Sequence, residues 1–183
     1  MNIGFLYRGT EILTCIQLKL LYNAILLPHL TYCNLVWGIN YPTHLNRLHL
    51  LQKRAARVIL GLGYIDSVKH RLQEVGIIAI DELIQKRCML LVYKIKHSMA
   101  PSQMQHLLHW RISNPNVPRV RNRGPMMVPF ARTKYKQHTF KIFAPKLFNS
   151  LSEMHAIDLN VPISAYKANV TKCMASNRTL SSS

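Results

Sequence analysis

Acidic residues are what this sequence has least of. Seven Asp and Glu stand against 24 Lys and Arg in 183 residues, for a formal net charge of +17 and a pI near 10.2. The seven are Glu11, Asp66, Glu74, Asp81, Glu82, Glu153 and Asp158. None falls between Leu83 and Ser152, a span that holds thirteen Lys or Arg. Two-metal phosphoryl transfer needs carboxylates converging on ions about 4 Å apart. Only Asp81 and Glu82 are neighbours, and adjacent residues on a helix diverge by roughly 100°. No polymerase or nuclease metal site is expected, and no cofactor.

Cysteine is also sparse. Cys15, Cys33, Cys88 and Cys173 are widely spaced, with no Cys-x-x-Cys pair, which argues against a disulfide framework or zinc knuckle and suits a reducing compartment. His29 and Cys33, or His106 and His109, have spacings that permit metal ligation, but two ligands do not make a tetrahedral site. Cys15 and Cys88 lack the local motif of a nucleophile, and Cys88 falls on an apolar stripe. No secretory leader pattern opens the chain, so an intracellular location, nucleus or cytoplasm, is expected. The apolar stretch from Leu20 to Trp37 contains Asn23, Pro28, His29, Thr31 and Asn34, too polar for a confident membrane span.

What is present is a hydrophobic fraction of 49%, enough for a core, arranged mostly with helical period. Gly9 to Leu27 reads as a helix with Leu18, Leu21, Tyr22 and Ile25 on one face, kinked or ended by Pro28. A second apolar stretch passes through Leu30, Cys33 and Trp37 to Gly38. From Pro42, a residue suited to a first turn, Leu45, Leu48, Leu51, Ala55, Val58 and Ile59 form a stripe that Gly61 stops. Arg47, Lys53, Arg54 and Arg57 occupy the rest of that helix. Ser67 is a candidate N-cap for a short helix ending at Gly76. Asp81 opens a longer one with Ile84, Cys88, Leu91 and Ile95 on one face, its charges ordered as the helix dipole prefers. Pro101 and Ser102 begin a helix to about His109.

The texture then changes. Arg111 to Pro129 holds four prolines, one glycine and four arginines with no opposite charge, a basic extended loop. Met126–Phe130 and His138–Ile142 are candidates for two short strands flanking a basic turn. Helix returns at Ala144–Leu151 and Ile163–Met174, and the Ser-rich end is expected to fray.

Several ordered segments carry a resemblance. Leu21-Tyr22-Asn23-Ala24, Pro28 to Asn34, Trp37-Gly38 and Leu48 to Ile59 resemble the region just after the palm in reverse transcriptases of LINE-type, Jockey/CR1-like retrotransposons. Val75-Gly76-Ile77, Tyr93-Lys94 and Pro101 follow in order. Pro145 to Leu151 is similar to an LWNxLP motif and Ala165-Tyr166-Lys167 to a final SFK motif. Phe148 stands where that family has Trp, Ser152 where it has Pro, and Val120-Arg121 where Thr-Arg is common. The resemblance implies a thumb followed by a C-terminal segment of an RNA-directed DNA polymerase. The Tyr/Phe-x-Asp-Asp turn of the family's palm is absent from these residues, so no activity is expected of this chain alone.

The expected fold is mainly α: a thumb-like helical bundle over 1–62, a helical region over 63–110, a basic Pro-rich loop over 111–136, a short strand or hairpin and helices over 137–176, and a frayed tail over 177–183. Arg47, Lys53, Arg54 and Arg57 are candidates to grip phosphates; the plainer alternative is a solvated helix face. Arg119, Arg121, Arg123, Arg132, Lys134 and Lys136 form a second candidate, extended by Lys141 and Lys146. There Tyr135 and Phe140 are placed to stack on bases, the alternative being a disordered basic loop. Trp37, Tyr32 and Tyr22 read as core. The implied partners are RNA, DNA or an RNA–DNA hybrid, with a palm supplied in trans; the rival class is a structural or interaction relic with no nucleic-acid role.

Overall fold

The computed structural model describes residues 3–39, 42–63, 66, 68, 71, 75–111, 124–155 and 157–180. The fold is mainly α, and no strand forms among the described residues. The chain divides into two compact units, Met1–Ile84 and Gln85–Ser183.

The first unit begins with α1 (Gly4–Gly9) and α2 (Cys15–Leu21). The single helix expected from Gly9 to Leu27 is therefore interrupted. The chain leaves α1 through a turn in which the Leu13 N–H donates to the Gly9 carbonyl at 2.8 Å. It re-enters at a capping box, where the Gln17 side chain reaches back to accept the Thr14 N–H at 2.9 Å. Next comes a π-helical turn, Tyr22–Leu26, followed by α3 (Leu27–Thr31). Proline has no N–H, and its ring crowds the carbonyl four residues back. The wider π turn lies over that carbonyl, at Ala24, so the helical path continues through Pro28 instead of ending there. The inserted residue also moves the buried position from Ile25, which is exposed, to Leu26. Leu18, Tyr22, Leu26 and Leu30 thus form the buried series at four-residue spacing.

Cys33, at φ 47°, separates α3 from α4 (Asn34–Trp37). Gly38 follows where no side chain fits: a Cβ there would lie 2.4 Å from the Asn34 carbonyl oxygen and 2.5 Å from Ile84. The long helix α5 (Pro42–Leu60) starts at the expected proline and packs on α1 and α2. It ends in a Schellman motif: Gly61 adopts φ +62°, its N–H bonds Val58, and the Leu62 N–H bonds Arg57 at 3.0 Å. The short helix expected between Ser67 and Gly76 lies largely outside the described residues.

Helix α6 (Ile80–Lys96) runs across the division between the units. Its buried band is wider than the expected stripe. Leu83, Ile84, Cys88, Met89, Val92, Tyr93 and Ile95 are buried while Leu91 is half-buried. In the second unit, α7 is a single turn, Ser102–Gln105, shorter than expected. Trp110 and Met126 form an isolated antiparallel bridge, and the Asn149 side chain brackets the Met126 backbone with two 3.0 Å bonds.

The expected hairpin does not form. Thr133 caps a helical turn, α8 (Lys134–Gln137), through the Lys136 N–H, and α9 (Phe140–Met154) begins where the second strand was expected. Ile142 and Phe143 donate to the Thr139 carbonyl, so these residues meet their backbone bonds within a helix and have none left for a ladder. Pro145 sits inside α9. The last helix, α10 (Ile163–Leu180), buries Tyr166, Val170 and Met174 and continues past the boundary at 176. Residues 181–183 of the serine-rich end lie outside the described residues. Tyr166 donates its hydroxyl to the Met89 carbonyl at 3.2 Å, and Tyr93 donates to Val161 at 2.8 Å. Phe148 meets Trp110 edge-on at 5.4 Å.

Candidate nucleic-acid interface

On α5 the apolar stripe faces the core: Ala55, Ala56, Val58 and Ile59 are buried, and Leu45, Leu48 and Leu51 half-buried. At 100° per residue, Lys53, Arg57, Arg54 and Arg47 occupy an arc of about 120° on the other side. Arg47 and Arg54 are exposed and seven residues apart, so they rise from nearly the same line about 10 Å apart along the axis. Lys53 and Arg57 are half-buried. The Arg57 guanidinium donates to the Asp66 backbone carbonyl at 3.4 Å, tying it to the chain that follows the helix. No carboxylate occurs anywhere on α5.

What holds this face in place is a residue whose role was not legible in the pattern. Gln52 is 2% exposed. Its amide nitrogen donates to the Tyr22 hydroxyl at 3.0 Å and the Ile78 carbonyl at 3.1 Å, and its oxygen accepts the Ile80 N–H at 3.0 Å. One side chain therefore ties α5 to the π turn and to the start of α6. Burial raises the Tyr22 pKa, an effect the Gln52 bond partly offsets. A polar residue at the edge of an apolar stripe signals such a role only when its partners are known.

The second set behaves differently. Arg132, Lys134 and Lys136 are all exposed within five residues at the turn around α8. Tyr135 is 77% exposed, as stacking requires, but Phe140 is half-buried at the start of α9 and is not available in the same way. The exposed aromatic partner is Phe130, at 86%, which sequence reasoning had placed at the end of a strand. Lys146 is exposed and Lys141 half-buried; five residues apart on α9, they point about 140° from one another. Arg119, Arg121 and Arg123 lie outside the described residues. Tyr22 is core as expected, Trp37 is half-buried, and Tyr32 is 76% exposed, so its reading as core is corrected. The Trp37 indole N–H is satisfied by the Tyr32 carbonyl at 2.7 Å.

Among the described residues no three His, Cys, Asp or Glu side chains converge as metal ligands. Cys88 is fully buried, and burial pushes its thiol up to about 12, which leaves it protonated and a poor nucleophile at neutral pH. A cleft of about 410 Å³ in the second unit is lined by Lys96, Trp110, Phe148, Ser152 and Asp158, among others, with the Lys96 ammonium 4.7 Å above the Trp110 ring. No helix among the described residues is long and apolar enough to cross a membrane. No family model, curated protein or solved structure matches the chain.

Proposed function

We propose that this chain binds nucleic acid through phosphate contacts on α5, as the thumb portion of a LINE-type reverse transcriptase would, and that it performs no catalysis by itself. The observation that carries the reading is the basic arc of α5: Arg47 and Arg54 are exposed on nearly one line of a helix whose own sequence contains no Asp or Glu and whose opposite side is buried. Neutralising phosphates releases counterions, and that release supplies affinity with little sequence preference. In this reading RNA, DNA or their hybrid is the partner, a palm is supplied by other residues, and the setting is nuclear or cytoplasmic.

The test is fluorescence anisotropy with an RNA–DNA hybrid between about 50 and 300 mM salt. The Arg47→Ala/Arg54→Ala variant is the informative one, because Arg57 also bonds the Asp66 carbonyl and its removal would mix a local structural change with the loss of charge. A steep log–log slope that falls by about 2 in the variant is expected. Failure of the wild-type chain to bind at the lowest salt would refute the proposal.

A second reading, an interaction fragment without a nucleic-acid role, is favoured by one feature of the first unit. Ile12, Ile16, Leu20 and Val36 are 84%, 74%, 63% and 80% exposed. Ile16 and Leu20 lie one turn apart on the same face of α2, and contiguous exposed apolar surface marks an association site. Hybrid binding that is weak and insensitive to salt, together with concentration-dependent sedimentation, would favour this second reading.

A further inference from the structure

We propose that the segment from Phe130 to Thr139 is a stacking platform for unpaired nucleic acid, with Phe130 and Tyr135 receiving bases and Arg132, Lys134 and Lys136 holding the phosphates between them. The inference rests on the nucleic-acid reading above and deepens it, assigning unpaired strand to one segment of the second unit.

Three observations carry it. Phe130 and Tyr135 are 86% and 77% exposed, so both rings present faces to solvent, and every base has a π face to lay against them. Arg132 and Lys134 lie between these rings along the chain and Lys136 follows Tyr135, and no Asp or Glu occurs from Leu83 to Ser152, which suits a polyanion. The display is also built in advance. The Thr133 hydroxyl oxygen accepts the Lys136 N–H at 3.3 Å, the Gln137 amide donates to the Ala131 carbonyl at 3.4 Å, and the Thr139 hydroxyl donates to the Lys136 carbonyl at 2.7 Å. Such local bonds fix the backbone on both sides of Tyr135 before any strand arrives and reduce the ordering that binding requires. Paired bases offer their edges and not their faces, so the platform distinguishes unpaired strand from duplex.

The experiment measures binding of the full chain to fluorescent oligothymidylate, to the RNA–DNA hybrid and to oligoglutamate, which carries charge without bases. In Phe130→Ala/Tyr135→Ala, affinity for oligothymidylate is expected to fall at least about fivefold, with hybrid and oligoglutamate affinities unchanged. Both side chains are exposed, so the core is untouched, and Phe130→Tyr/Tyr135→Phe is expected to bind oligothymidylate as the wild type does. Hybrid binding that responds to the α5 variant, with oligothymidylate binding indifferent to the alanine pair, would overturn the platform and leave the proposed function standing. An equal loss on oligoglutamate would overturn stacking as the mechanism. Absence of binding to both nucleic acids would overturn both proposals.

Discussion

The two units bury polar groups in different ways, and their basic surfaces differ accordingly. The first is pinned by a neutral amide, Gln52, whose donors and acceptor are matched to the π turn and to the entry of α6; its candidate phosphate-binding cations, Arg47, Lys53, Arg54 and Arg57, lie on one long helix. The second buries groups that would be costly to ionise, Cys88 and Tyr166, and three of its exposed cations, Arg132, Lys134 and Lys136, crowd into a short segment knit by local bonds. A straight helix presents charges at a fixed rise, suited to a regular backbone. A short capped turn presents rings and charges side by side, suited to an irregular strand. Similar charge therefore leads to different expectations of ligand.

The comparison breaks most sharply at high pH. Burial holds Cys88 at about 12, against an ordinary 9.0, and raises Tyr166 as well. A raised folded-state value means the protonated form is favoured by folding. That stability is complete below pH 9 and is lost as the pH climbs toward 12. For Cys88 the loss is on the order of 4 kcal/mol. Denaturant titrations from neutral to alkaline pH should show it, with a flatter profile in Cys88→Ala.

Gln52→Leu tests the other unit. It strips hydrogen-bond partners from Tyr22, Ile78 and Ile80, and is expected to cost about 3 kcal/mol in chemical denaturation. Gly38→Ala is smaller, about 2 kcal/mol, because the new methyl meets the Asn34 carbonyl and Ile84; its melting temperature should fall accordingly. Smallest in stability is Ile16→Lys/Leu20→Lys, expected to change folding by no more than about 0.5 kcal/mol. Both side chains are exposed, so its readout is self-association, which should decrease in sedimentation velocity if the apolar face of the first unit drives it.

Much of the helical framework was legible in the pattern. The stripe of α5, its start at Pro42 and its stop at Gly61 follow from periodicity and from the special backbone needs of proline and glycine. The break after Gly9 was not read, although Thr14 and Gln17 carry the capping-box pattern of a helix start; the passage through Pro28 was not legible, because a π turn changes the period locally and leaves no residue-type signature. The hairpin misreading has a similar cause. Short runs such as His138–Ile142 suit either strand or helix, and the Thr139 N-cap position decided between them.

Composition alone determined that this protein carries a large net positive charge, because charge is a sum over residues and needs no fold. Only the tertiary structure decided which cations share a face, that Phe130 rather than Phe140 accompanies Tyr135 in solvent, and that Gln52 belongs to the core. Exposure and hydrogen-bond pairing depend on which segments meet, and residues such as Gln52 and Ile78 are brought together by packing across 26 positions of chain.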